Sequence, residues 1–221
     1  MPPDPSDPDV LYTSDLHGSR THYEEAFRLA EALGVRAVVL GGDLSPMGDP
    51  ATQGSFHESF LVPFLRDFLG RPGAPEVFAI LGNVDWRANE SLLLDARIPR
   101  FHYLHSRVAP FLDGALIAGL NCVPPTPIRL KDWERWEPEH WESSRLDGFR
   151  SAPDGSLYPF TFAGRENEES LEADFDSLEA AVLAARGGSA AGPLVCVFHG
   201  PPFGTACDQI TGGTHVGSRA A

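Results

Sequence analysis

Four short polar clusters each follow an apolar run: Ser14-Asp15-Leu16-His17-Gly18, Gly41-Gly42-Asp43, Gly82-Asn83-Val84-Asp85 and His199-Gly200. Brought together, they would gather three carboxylates, two imidazoles and a carboxamide, with no Lys or Arg among them. Clustered carboxylates repel, so either their pKa values rise or a cation neutralises them. Oxygen and nitrogen donors from Asp, Asn and His suit Mn, Fe, Ni or Zn better than Ca. The adjoining glycines let backbone approach such a cation closely. Singly, each cluster says little. Asp15, Asp43 and Asn83 could hold turns or cap helices, and His17 or His199 could be a surface or a satisfied core histidine. The joint pattern carries the reading.

The elements that must position these clusters follow from hydrophobic periodicity. Residues 10–14, 36–40 and 76–81 are short, unalternating apolar runs that read as buried strands. Residues 21–33 carry apolar side chains at helical spacing and stop at Gly34. Residues 56–69 read as a helix kinked or broken at Pro63, and 91–96 as a short helix. This βαβαβ pattern suits a parallel sheet covered on both faces. The carboxyl ends of such strands lie side by side, where open α/β folds place their sites. Further on, 115–120 reads as a strand, 171–185 as an amphipathic helix, 194–198 as a core strand, and the chain from Gly200 as loop. Residues 121–170 form a long polar stretch, which points to a functional loop. The fold class expected is α/β.

In order, Asp15-Leu16-His17, Gly42-Asp43, Gly82-Asn83 and the late His199 resemble the signature blocks of the calcineurin-like metallophosphoesterases. The resemblance implies a sandwich of β-sheets flanked by helices over residues 10–221, with 121–170 an insertion. It implies a centre of two divalent transition metals: Asp15 and His17 on the first, Asp43 bridging, Asn83 and His199 on the second. It also implies hydrolysis of a phosphoester by a metal-bridging hydroxide. Pro124-Pro125-Thr126-Pro127, Leu130-Lys131-Asp132-Trp133-Glu134, Pro201-Pro202-Phe203-Gly204-Thr205 and His215-Val216-Gly217-Ser218 look like a poorly characterised bacterial and archaeal subgroup.

Two departures stand out. Many members carry a histidine after the Asn of the third block, to protonate the leaving group. Val84 cannot transfer a proton, which favours a diester or an activated monoester; Asp85 remains as a catalytic candidate. The family's closing Gly-His-x-His block is also absent, and Ser218 to Ala221 reads as a helix cap and a single turn. The expectation is a C-terminal truncation. His215 could replace a missing ligand, contact the substrate phosphate as a catalytic residue, or sit on a loop.

Composition bounds the partners. A formal net charge of -14 over 221 residues opposes general affinity for nucleic acid or anionic membranes. A small phosphorylated substrate would then need a local cation. Three cysteines give no disulfide framework, and Cys122 and Cys196 read as inert packing residues. Residues 1–9 read as a disordered leader without signal-peptide features, and no run approaches the length needed to span a bilayer; a cytoplasmic location is expected. Trp133, Trp136 and Trp141 sit among acidic residues, and read as packing aromatics of a lid or interface rather than base-stacking groups. Motifs of serine hydrolases, NTPases and dinucleotide enzymes are missing. Two rivals remain: a degenerate domain acting as a binding or scaffolding module, and a nuclease or a nucleotide or sugar-phosphate hydrolase on the same fold.

Overall fold

The apolar runs near the N-terminus do form strands. A computed structural model describes residues 9–139, 142–165, 168–187 and 192–221; the leader apart from Asp9, and His140 and Trp141 of the polar stretch, lie outside the described residues. Strands β1 (Val10–Thr13), β2 (Ala37–Gly41), β3 (Glu76–Ile80) and β4 (Phe101–Tyr103) make a parallel sheet in that order. Its register sets Tyr12 beside Val39 and Val39 beside Phe78. Helix α1 (Arg20–Leu33) begins at Ser19, whose hydroxyl accepts from His22 N, and ends at Gly34 in the left-handed conformation.

The long helical segment after β2 starts earlier than periodicity suggests. Asp49 caps α2 (Pro50–Phe56), a π-helical turn follows (His57–Leu61), and α3 (Val62–Leu69) completes it. Pro63 has no N–H to give, and one extra residue looped in just before it spares the helix a break. The turn keeps Phe56, Phe60, Phe64 and Phe68 in one row, and these rings pack edge-on or tilted against Tyr23 and Phe27 of α1. Helix α4 (Glu90–Asp95) precedes β4.

A second sheet holds β5 (Arg107–Pro110), β6 (Leu116–Leu120) and β9 (Leu194–Phe198), with β6 in the middle, antiparallel to β5 and parallel to β9. It faces the first across a layer of Ala37, Val39, Phe78, Ile80, Leu104, Ile117 and Val197. Helix α5 (Leu171–Ala185) packs on its outer side, with Phe175 edge-on to Phe198. The protein is therefore mixed α/β, with a parallel sheet flanked by helices. No helix among the described residues is long and apolar enough to cross a membrane.

Three readings of the sequence need correction. The strand 194–198 lies at an edge, where Leu194, Val195 and Cys196 are exposed, so neither a core strand nor a packed Cys196 is found; an apolar pentapeptide does not say which sheet it joins. The stretch 121–170 is not simply loop: β7 (Asp147–Ser151) and β8 (Leu157–Thr161) form an antiparallel hairpin, and Trp133 is fully buried. Strands β4 and β5 went unread because three or four residues interrupted by His, Arg and Pro give no clear period.

Two expectations follow. A Cβ on Gly119 would sit 2.7 Å from Ile80 Cγ2 and from Leu104 Cβ, so Gly119→Ala should cost about 1–3 kcal/mol in denaturant unfolding; no loss would mean the two sheets approach less closely. Burial pushes His57 down to about 4, and burial with the charges of Arg135, Arg87 and Arg107 takes His105 to about 3. Both stay neutral when folded while the unfolded chain takes up protons near pH 6.5. Their contribution is complete above that pH and is lost as pH falls toward 4 and 3. The thermal midpoint should drop over that window, and less steeply in His57→Gln.

Candidate functional site

The loop after β1 and the loop after β2 lie side by side. Asp15 N donates to Gly42 O, His17 N to Asp43 O and Gly18 N to Leu44 O, all at 2.9–3.0 Å. These bonds hold an uncommon backbone: Asp15, His17 and Asp43 all have positive φ, at 56°, 44° and 51°. For residues other than Gly such a conformation costs roughly 1–3 kcal/mol and survives only when its surroundings fix it. Tyr23 of α1 adds to that fixing by donating its hydroxyl to Leu44 O at 2.9 Å.

The result brings Asp15, His17 and Asp43 together, each offering a ligand atom within 4.8 Å of the others. His17 Nε2 is 3.9 Å from Asp15 Oδ1 and 3.9 Å from Asp43 Oδ2. Ser14 Oγ donates to Asp15 Oδ2. Asp43 turns its other oxygen the opposite way, 3.4 Å from His199 Nε2. His199 Nε2 is also 3.0 Å from Asn83 Oδ1, and its Nδ1 lies 2.9 Å from Gly41 O. The five residues singled out in the sequence thus form one continuous group about the Asp43 carboxylate. His199 reaches it from the second sheet, not from the row of parallel strand ends.

Glycine is required where the loops meet. A Cβ on Gly42 would lie 2.5 Å from His199 Nδ1, and one on Gly82 would collide with Asp43 and the His199 ring. The charges at this contact are mutually dependent. Burial alone would raise the Asp43 carboxyl, but the hydrogen bond and charge of His199, with Val84 N–H and His17, hold it below the ordinary range. Burial would likewise lower His199; the same Asp43 contact overcomes it and takes the imidazole to about 9. The Asp43 anion and the His199 imidazole thus stabilise one another, and a donor set of carboxylates, imidazoles and a carboxamide fits divalent transition metals.

The two residues assigned catalytic roles from sequence are placed differently. Asp85 is buried, and its carboxylate accepts Leu44 N, Ser45 N and Gly82 N at 2.8–3.0 Å. Burial and the nearby Asp43 charge raise its pKa against those bonds. It fastens the second loop to the third. His215 belongs to the loop after β9, where Nδ1 lies 2.6 Å from Asp208 Oδ1 and Nε2 3.2 Å from Gln209 Nε2. Asp208 also accepts Gly204 N, Thr205 N and Gly217 N, so the histidine completes a hub that closes this loop.

Sequence reading missed the groups behind the site. Gln53, wholly buried on α2, receives Trp86 N at 2.8 Å and donates to Val84 O at 2.7 Å. Buried Ser45 pairs its hydroxyl with His57 Nε2 at 2.8 Å. An uncharged polar residue on the inner face of a helix was the available signal for Gln53.

No protein-family model and no curated protein matches the chain. Among solved structures, TT1561 of Thermus thermophilus is similar at a TM-score of 0.56 and 16% identity, over 96% of this chain and 73% of that one. A second solved structure is similar at a TM-score of 0.58 and 12% identity, over 96% of this chain and 76% of that one. At such identities the likeness is one of fold.

The contact at Gly82 yields a direct expectation. Gly82→Ala should push Asp43 and His199 apart and weaken Mn2+ binding at least tenfold by titration calorimetry, while circular dichroism stays native. Unchanged affinity would show that the close approach does not matter for ligation.

Proposed function

We propose that this chain is a metal-dependent phosphoesterase of the calcineurin-like type, built as that family's α/β sandwich, and that it hydrolyses a phosphodiester or an activated phosphomonoester. The observation that carries the reading is the two-sided use of Asp43, with Oδ2 3.9 Å from His17 and Oδ1 3.4 Å from His199. A carboxylate facing two separate nitrogen donors is what a shared ligand between two cations requires. Asp15 and His17 would hold one, Asn83 and His199 the other. When bound, such a pair supplies Lewis-acid charge to the phosphoryl oxygens and lowers the pKa of water.

The chain's own residues then set what the reaction can use. Asp43, held anionic, keeps the centre from accumulating excess positive charge. His199 donates through Nδ1 to Gly41 O, which fixes its ring so that Nε2 points at the site. Val84 follows Asn83 and is 4% exposed, so the third loop offers no proton to a departing alkoxide. The leaving group must therefore depart as a stable anion or take its proton from water. That selects aryl or phosphoanhydride-like leaving groups over alkyl ones.

With Mn2+, the protein should hydrolyse bis(p-nitrophenyl) phosphate, and chelation should abolish this. Asp43→Asn should lower kcat/KM by at least ~100-fold. Across a series of aryl diesters, the rate should fall steeply as the leaving-group pKa rises. A metal-loaded protein inert toward aryl diesters and aryl monoesters alike would defeat the proposal.

A further inference from the structure

The sequence motif left without a role is Lys131-Asp132-Trp133-Glu134-Arg135. Charged residues are seldom buried unless paired, yet Lys131 and Glu134 are 0% exposed and Asp132 only 2%. Lys131 Nζ donates to Glu134 Oε2 at 2.6 Å, and Arg135 Nε to Asp174 Oδ2 at 2.9 Å. Such pairs add little net stability over apolar residues of the same size, so stability alone is a weak reason for this arrangement.

What the segment touches supplies a better one. Trp133 Nε1 donates to Asp85 O at 2.8 Å, and Asp132 Oδ2 accepts Arg87 N at 2.8 Å. Asp132 is itself set by Ser151 of β7, through N at 2.8 Å and Oγ at 2.6 Å. Gln53 holds Val84 O and Trp86 N from the opposite side. Four successive residues after Asn83 are thus gripped alternately by α2 and by this segment. Asn83 lies at the head of that stretch, inside a turn closed by Asp85 N donating to Gly82 O at 3.2 Å.

We infer that Asp132 and Trp133 are positioning residues which act through the backbone of residues 85–87 to keep Asn83 aligned with His199, and so set the affinity of that half of the site for its cation. The inference rests on the phosphoesterase reading and deepens it. Groups behind first ligands commonly change metal affinity by 10–100-fold when lost.

Mn2+ binding to the full chain, followed by titration calorimetry, tests this. Wild type should bind in two steps, and Asn83→Ala identifies the step belonging to its half-site. Trp133→Phe keeps an aromatic ring but removes the donor and part of the buried indole; Asp132→Asn keeps the shape and replaces one acceptor. Each should weaken that step by about 10–100-fold and leave the Asp15/His17 step unchanged. Gly119→Ala, destabilised between the sheets, should leave both steps intact and so exclude a general effect of lost stability. Variant affinities equal to wild type, or both steps weakened alike, would overturn the positioning assignment. A wild-type chain that binds no metal would instead overturn the phosphoesterase reading beneath it.

Discussion

The Asp85 carboxylate is the point on which the arrangement depends. It is buried beside another carboxylate, an expensive place for a charge, since an uncompensated buried ion costs several kcal/mol. Three backbone N–H groups from two loops offset that cost. The same bonds tie the loop carrying Asp43 to the loop carrying Asn83 at a spacing short enough that only glycine fits at positions 42 and 82. A carboxylate in this role cannot be replaced by an amide without turning one acceptor into a donor that faces a donor. The strained φ angles of Asp15, His17 and Asp43 are maintained by this framework and by the cross-loop bonds between residues 15–18 and 42–44.

Charge in this molecule is distributed on two scales. The whole chain carries -14, yet the segment behind the site pairs opposite signs: Lys131 with Glu134 in the interior, and nearer the surface Arg135 with Asp174 and Arg150 with Glu169 in a bidentate pair. Burial moves Glu134 up to about 7 and lowers Lys131, each opposing the other's attraction. Each of these pairs sums to about neutral, while Asp43, Asp85 and Asp132 are further carboxylates buried close to the site. A local cation at Asp15, His17 and Asp43 would sit where the acidic charge of the chain and the nearby carboxylates favour it.

Much of the first sheet was legible in the sequence because its strands are short, apolar and bounded by Gly, and because α1 shows its buried Tyr23, Phe27 and Ala30 at helical spacing. Helix 171–185 and strand 194–198 were also placed at their observed bounds. Asp43 and the four residues that converge on it could be picked out for a local reason: each lies within four residues of a strand's end. What failed was everything non-local. Whether 194–198 lies in the first sheet or the second depends on pairing partners at residues 116–120, far away along the chain, and the pattern of five apolar residues is the same in either. The hydrogen-bond partners of Asp85 likewise include N–H groups from residues 44 and 45, which no motif reveals.

The polar stretch 121–170 shows the same limit from the other side. Read by composition, Lys131, Asp132, Glu134 and Arg135 are charges that prefer water, although the tryptophans among them read as packing aromatics. The fold buries the charges because each finds a partner nearby, and Trp133 packs with its N–H on a carbonyl at the edge of the site. Composition measures the desolvation cost of such residues but is blind to the geometry that offsets it. Burial of a satisfied polar network leaves fewer alternative packings than an apolar one, because each donor must meet a specific acceptor. A segment built this way transmits the positions of β7 and α5 to the backbone beside Asn83 with little slack, and slack is what a ligand set held to a few tenths of an ångström cannot tolerate.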